Sequence, residues 1–182
     1  GYPSISFDGR PVPKTFEWNS GDSIQLTWTG GAAHAWVSFS RAGLVEFDGT
    51  AWWRRPSPPF RYLDAIADDD AGTAWALGDM EDKSMAIARW NGETWSLLPV
   101  PADFTASQIL VAGAVTWFFG QATWYAWDGR SLRRLSAPIE ADAVWLSPSG
   151  DVWVAGRELV SDPVTDDTRR AGALIQISRA SM

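Results

Sequence analysis

The chain has no cysteine, which excludes disulfides, thiol catalysis and thiolate-held metals. It has one histidine, His34, with no Cys/His/carboxylate cluster beside it in sequence to make a zinc site. No apolar run approaches the ~20 residues of a membrane-spanning helix. No long segment has helical periodicity. Positive charge is scarce: the net charge is -7 and the pI is near 4.6. A nucleic-acid backbone would be repelled, so that class of partner is excluded. Lysine is almost missing. Lys14 and Lys83 stand against 13 arginines, a bias that, with abundant alanine, points to a bacterial source with GC-rich codons.

What is present is tryptophan, 13 residues of 182, and a turn written four times. The turn stands as "FDGRPV" from Phe7, "FDGTAW" from Phe47, "WNGETW" from Trp90 and "WDGRSL" from Trp127. Its Asp-Gly or Asn-Gly pairs are spaced by 40, 43 and 37 residues. A second series places Trp36, Trp75, Trp117 and Trp153 at steps of 39, 42 and 36. A third lies eight residues before each of these, at Trp28, Ala67, Ile109 and Trp145. Only Trp18, Trp53 and Trp124 have no place in the repeat.

Each unit reads as four short strands. "TAWALG" and "DVWVAG" are apolar runs bounded by glycine or aspartate. "AIARWNGETWSLL" is two runs joined by Asn-Gly, a pair that tolerates the positive φ of a type I′ hairpin. Four strands at a period of about 40 predict an all-β fold, a β-propeller of four repeats in one domain spanning 1–182. Trp75, Trp117 and Trp153 are then expected to fill the gaps between neighbouring blades.

"LDAIADDDAGTAWALG…AIARWNGETW" resembles the repeat of bacterial two-component-regulator-type propellers, and "ADAVWLSPSGDVWVAG" fits the same template. The resemblance covers nearly the whole chain, but its motifs are structural and carry no catalytic residue. Such propellers usually have more blades than this chain supplies. Two readings of the ends follow. In one, "KTFEW" pairs with "ALIQIS" and closes a four-bladed ring. In the other, the chain is part of a larger propeller, or self-associates through an unclosed blade.

Propeller geometry sorts the loops. Ligands usually sit on the face shared by the loops that enter each blade and those between its second and third strands. The aromatic candidates there are Trp18, Phe60, Tyr62 and Trp124; the polar ones are Asp79, Glu81, Arg157 and Glu158. The segment 156–172 reads as an unusually long loop. The "DDDAG" run from Asp68 reads as a solvated turn rather than a metal site, lacking the spacing of an EF-hand. His34 reads as structural. No cofactor and no metal are expected. The functional expectation is a non-catalytic binding module outside the cytoplasm (periplasmic, cell-surface or secreted), taking a glycan or a protein. The alternative is a glycoside-active enzyme using paired loop carboxylates such as Asp79, Glu81, Asp82 and Glu158.

Overall fold

The computed structural model describes residues 6–7, 10–11, 24–30, 34–39, 43–69, 71–121, 123–161 and 168–178. Among these, every regular element is a strand. A small hairpin, β1 (Ser6–Phe7) with β2 (Arg10–Pro11), comes first. The first sheet follows as β3 (Ile24–Gly30), β4 (His34–Phe39), β5 (Gly43–Phe47) and β6 (Trp52–Arg55). The second is β7 (Tyr62–Asp68), β8 (Ala74–Asp79), β9 (Met85–Trp90) and β10 (Trp95–Leu98). The third is β11 (Gln108–Ala112), β12 (Val115–Phe119), β13 (Thr123–Trp127) and β14 (Leu132–Ser136). The fourth has three described strands, β15 (Glu140–Leu146), β16 (Val152–Ser161) and β17 (Thr168–Ile177). In each sheet, neighbours in sequence pair antiparallel, as the repeat predicts. The strand Lys14–Trp18, on which ring closure was expected to depend, lies outside the described residues.

Two compact units divide the chain, Gly1–Pro99 and Val100–Met182. In the first unit, Trp36 and Leu44 of the first sheet pack on Ile66, Ala74, Ala76 and Trp90 of the second. The Trp36 ring meets Trp95 edge-on, with centroids 6.2 Å apart. In the second unit, Leu110, Trp117, Phe119 and Trp124 of the third sheet pack on Val152 and Val154 of the fourth. One rule serves both. The strand that carries the repeat tryptophan turns its bulky face toward the small or β-branched face of the next sheet. Burial of an indole there removes roughly 200 Å² from water, several kcal/mol of driving force.

Two expectations need correction. Trp153 is only partly buried; its indole stacks on Trp145, with ring planes 10° apart. In the third sheet Trp117 pairs with Leu110, not Ile109, whereas the pairs Trp28–Trp36, Ala67–Trp75 and Trp145–Trp153 follow the spacing. The turn between β11 and β12 holds only Gly113 and Ala114, so the partner lies one residue closer.

Beyond its first copy, where Phe7 pairs with Arg10, the repeated hairpin is also not a two-residue turn. Phe47 pairs with Trp52 and Trp90 with Trp95, leaving four-residue loops. In each, the Asp or Asn side chain accepts the N–H groups of the third and fourth loop residues. Asp48 takes those of Thr50 and Ala51, Asn91 those of Glu93 and Thr94, and Asp128 those of Arg130 and Ser131. The Thr50 hydroxyl, with these amides, holds the Asp48 carboxyl well below the usual carboxylate range. The following glycine alone takes positive φ: 90° at Gly49 and 98° at Gly92. Valine at either position should therefore destabilise by about 1 kcal/mol or more, read as a lower thermal midpoint. Unchanged midpoints in both variants would contradict this conformational requirement.

Candidate functional site

The loop entering the second sheet and the loop between β8 and β9 meet at one end of that sheet. Tyr62 pairs with Asp79 across the ladder, and the Arg61 amide donates to the Asp79 carbonyl at 2.7 Å. Phe60 lies beneath, part-buried against the Trp36 cluster. Gly78 is obligatory at this approach: a Cβ there would fall 2.2 Å from the Tyr62 carbonyl oxygen and 2.5 Å from the Phe60 ring. Tyr62 stays 52% exposed, with the Arg61 guanidinium 5.0 Å from its ring centroid. The β8–β9 loop is held tightly. Asp82 accepts the amide and hydroxyl of Ser84, and Lys83 sits at φ 67°. Glu81 is exposed at its tip.

Asp64 completes this end, and sequence reasoning missed it. The register shifts between Leu63 and Ala65, so Asp64 is the extra residue of a β-bulge. Bulges re-aim the side chain they carry. Partial burial, then the charge of Asp79, push the Asp64 carboxyl above its ordinary value.

The fourth sheet has the same bulge, at Asp142, between Ala141 and Ala143. There, Glu140 pairs with Arg157, as Tyr62 pairs with Asp79 in the second sheet. Arg157 donates to both Asp142 oxygens, Nε at 3.0 Å and Nη2 at 2.7 Å, and lies 3.9 Å from Glu140. The bulge carboxylate is thus compensated in the fourth sheet. In the second, the position equivalent to Arg157 is Asp79, another carboxylate. The signal was in the sequence: Asp79 and Arg157 each lie four residues after the repeat tryptophan of their unit.

The other expected site residues fall elsewhere. Arg157 is committed to its carboxylates and Glu158 is exposed on a strand. The long loop expected over 156–172 is largely strand, because β16 and β17 pair from Val152–Ile177 out to Ser161–Thr168. Trp124, expected near a binding loop, is 3% exposed and meets Phe119 edge-on. It faces the core because its place in β13 alternates with Tyr125 between two packed faces. Trp18 lies outside the described residues. The "DDDAG" run is not simply solvated either. Asp69 accepts the Ala71 and Thr73 amides, but Asp68 is buried and accepts the Trp36 indole N–H at 2.8 Å. Among the described residues no group of three or more His, Asp or Glu side chains is placed to hold a metal ion.

No protein-family model matches the chain, and no curated protein matches it in sequence. Solved structures do. The extracellular domain of BT4673 from B. thetaiotaomicron aligns over 83% of this chain at 10% identity, with a TM-score of 0.52. A second structure of that domain gives the same score over 84%. One is described as a one-component system and the other as a hybrid two-component system. YCF48 bound to D1 peptide aligns over 87% at 16% identity, with a TM-score of 0.51. These are β-propellers. The fold is that of a β-propeller. The propeller resemblance seen in the repeat is therefore present in three dimensions, and each of the four sheets of three or four described strands is a blade. The chain spans 22% of the BT4673 domain and 55% of YCF48.

Proposed function

We propose that this propeller chain is a non-catalytic binding module working outside the cytoplasm. Its loop end on the second blade takes a protein segment that presents an arginine or lysine side chain. One observation carries the reading: the second blade has Asp64 at its bulge and Asp79 across the ladder, with the charge of Asp79 acting on Asp64, in the two positions where the fourth blade has Asp142 bound to Arg157. A ligand guanidinium or ammonium would supply the missing cation, and the exposed Tyr62 ring would cover its aliphatic stem. Two likenesses support the class. One neighbour is an extracellular domain, and another was solved with a peptide bound.

The test is titration calorimetry with short peptides matched except for arginine, lysine or neutral citrulline at the centre. The charged peptides should bind, and citrulline should weaken binding about tenfold or more. Tyr62→Ala and Asp64→Asn should each cost about tenfold, a loss of ~1.4 kcal/mol. Because the Asp64 value is raised, its charge, and with it the affinity, should be present above that value and lost as pH falls through it. Binding on a glycan array without peptide binding would transfer the site to sugars. Release of reducing sugar that Asp64→Asn abolishes would replace binding with hydrolysis.

A further inference from the structure

One copy of the repeated turn differs from the others in its first residue. The turns at Asp8, Asp48 and Asp128 open with an acid; the turn of the second blade opens with Asn91, in the chain's one Asn-Gly pair. Asn91, Gly92, Glu93 and Thr94 are all exposed, at the tip that joins β9 to β10.

The Asn91 carboxamide is folded back over the peptide bond that follows it. Its Oδ1 accepts the Glu93 amide at 2.9 Å and the Thr94 amide at 2.8 Å. Both bonds reach past Gly92, so they draw Cγ toward the Gly92 nitrogen. Among the described residues, neither the Gly92 N–H nor the Asn91 side-chain NH2 has a hydrogen-bond partner. A Cβ on Gly92 would meet nothing within 4 Å, so no neighbouring group shields the approach. A nucleophile, an electrophile and a leaving group are thus held together and uncovered.

We propose that Asn91 is a self-modifying site, deamidated to aspartate by attack of the Gly92 nitrogen. That nitrogen gives its proton to water or hydroxide and forms a bond to Cγ. The carbonyl electron pair moves onto Oδ1, where the Glu93 and Thr94 amides already point at the developing oxyanion. Return of the pair breaks the Cγ–Nδ2 bond, and Nδ2 takes a proton from water and leaves as ammonia. Water then opens the cyclic imide. Addition at Cγ breaks its new bond to Gly92 and gives aspartate. Addition at the main-chain carbonyl gives isoaspartate instead. The two amides polarise the Cγ carbonyl, so aspartate is the main product.

The fold already accepts that product. Asp48 and Asp128 each take two loop amides from the same place in their turns. Isoaspartate would add a backbone carbon between Trp90 and Trp95, which pair across the ladder with ring centroids 5.4 Å apart. It would also pull on the Trp95 indole N–H, which donates to the Pro56 carbonyl at 2.8 Å. The Asp-Gly turns do not react in the same way, because an ionised carboxylate is a poor electrophile. The Thr50 hydroxyl at Asp48 and the Ser131 amide at Asp128 hold those carboxyls below the usual range.

Incubation of the folded chain at mildly alkaline pH, followed by peptide mapping with mass spectrometry, tests this. The chain unfolded in urea and a synthetic peptide of residues 88–96 supply the rates without the turn. Asn91 should show the mass shift of amide-to-acid conversion at least as fast in the folded chain as in either reference, with ammonia released in equal amount. Aspartate should exceed isoaspartate in the folded chain. Asn91→Asp should leave the thermal midpoint unchanged. A slower reaction in the folded chain than in the references would overturn the proposal. So would isoaspartate as the main product, or a lowered midpoint for Asn91→Asp.

Discussion

Replacing Trp117 with alanine is expected to lower the unfolding free energy by about 3–5 kcal/mol. The side chain lies between the third and fourth sheets and is 6% exposed. Its ring stacks on Phe119 with centroids 6.0 Å apart, and Phe119 in turn meets Trp124. Truncation removes the indole from a cluster that the strand ladders hold in place, so a cavity remains. Two controls separate packing from polarity. The Trp117 indole N–H is buried without a hydrogen-bond partner among the described residues. Trp117→Phe gives up ring volume but also removes that unsatisfied donor, so it should cost clearly less than alanine. Trp153→Ala, at the same repeat position but partly exposed, should cost on the order of 1–2 kcal/mol. Urea denaturation followed by circular dichroism reads all three. Equal losses for Trp117→Ala and Trp153→Ala would contradict the packing rule.

The difference between those two tryptophans marks how far the sequence can be followed. Spacing predicts the strands, their order and the antiparallel pairing, because a period near 40 and a residue pair such as Asn-Gly are local signals. It also predicts that repeat tryptophans share one register. It does not predict how fully each of them is buried, which depends on contacts outside the unit. The same limit appears at Trp124. Its place outside the repeat resembled a loop aromatic, but strand alternation turns it into the core. Phe60, Tyr62, Asp79 and Glu81 do gather at one end of a blade, because the two loops that carry them flank neighbouring strands. Asp64 and Asp142 were illegible because a bulge breaks the two-residue alternation by which a side chain's direction is inferred.

Replacing Asp68 with alanine is expected to cost about 3 kcal/mol, from a side chain the sequence presented as one acid among three. Its carboxylate is 2% exposed and accepts the Trp36 indole N–H across the two sheets of the first unit. His34 Nδ1 lies 4.0 Å from Asp68 and 3.7 Å from Glu46, itself buried and held by the Arg55 guanidinium at 2.6 Å. A carboxylate withdrawn from water is tolerated only where donors and cations replace its hydration. Here the donor is an indole whose ring is simultaneously core. Alanine leaves that indole N–H buried without its acceptor, while asparagine keeps an acceptor oxygen and should recover part of the loss. Trp36→Phe removes the donor instead. Combined with Asp68→Ala, it should cost less than the two single changes added together, with a coupling of about 1 kcal/mol or more. Strict additivity in the double-mutant cycle would mean that the hydrogen bond contributes nothing and that Asp68 is held for another reason. A coupling of the expected size would show the polar contact and the tryptophan packing acting as one unit: the buried acid fixes the rotamer of the indole that joins the first blade to the second.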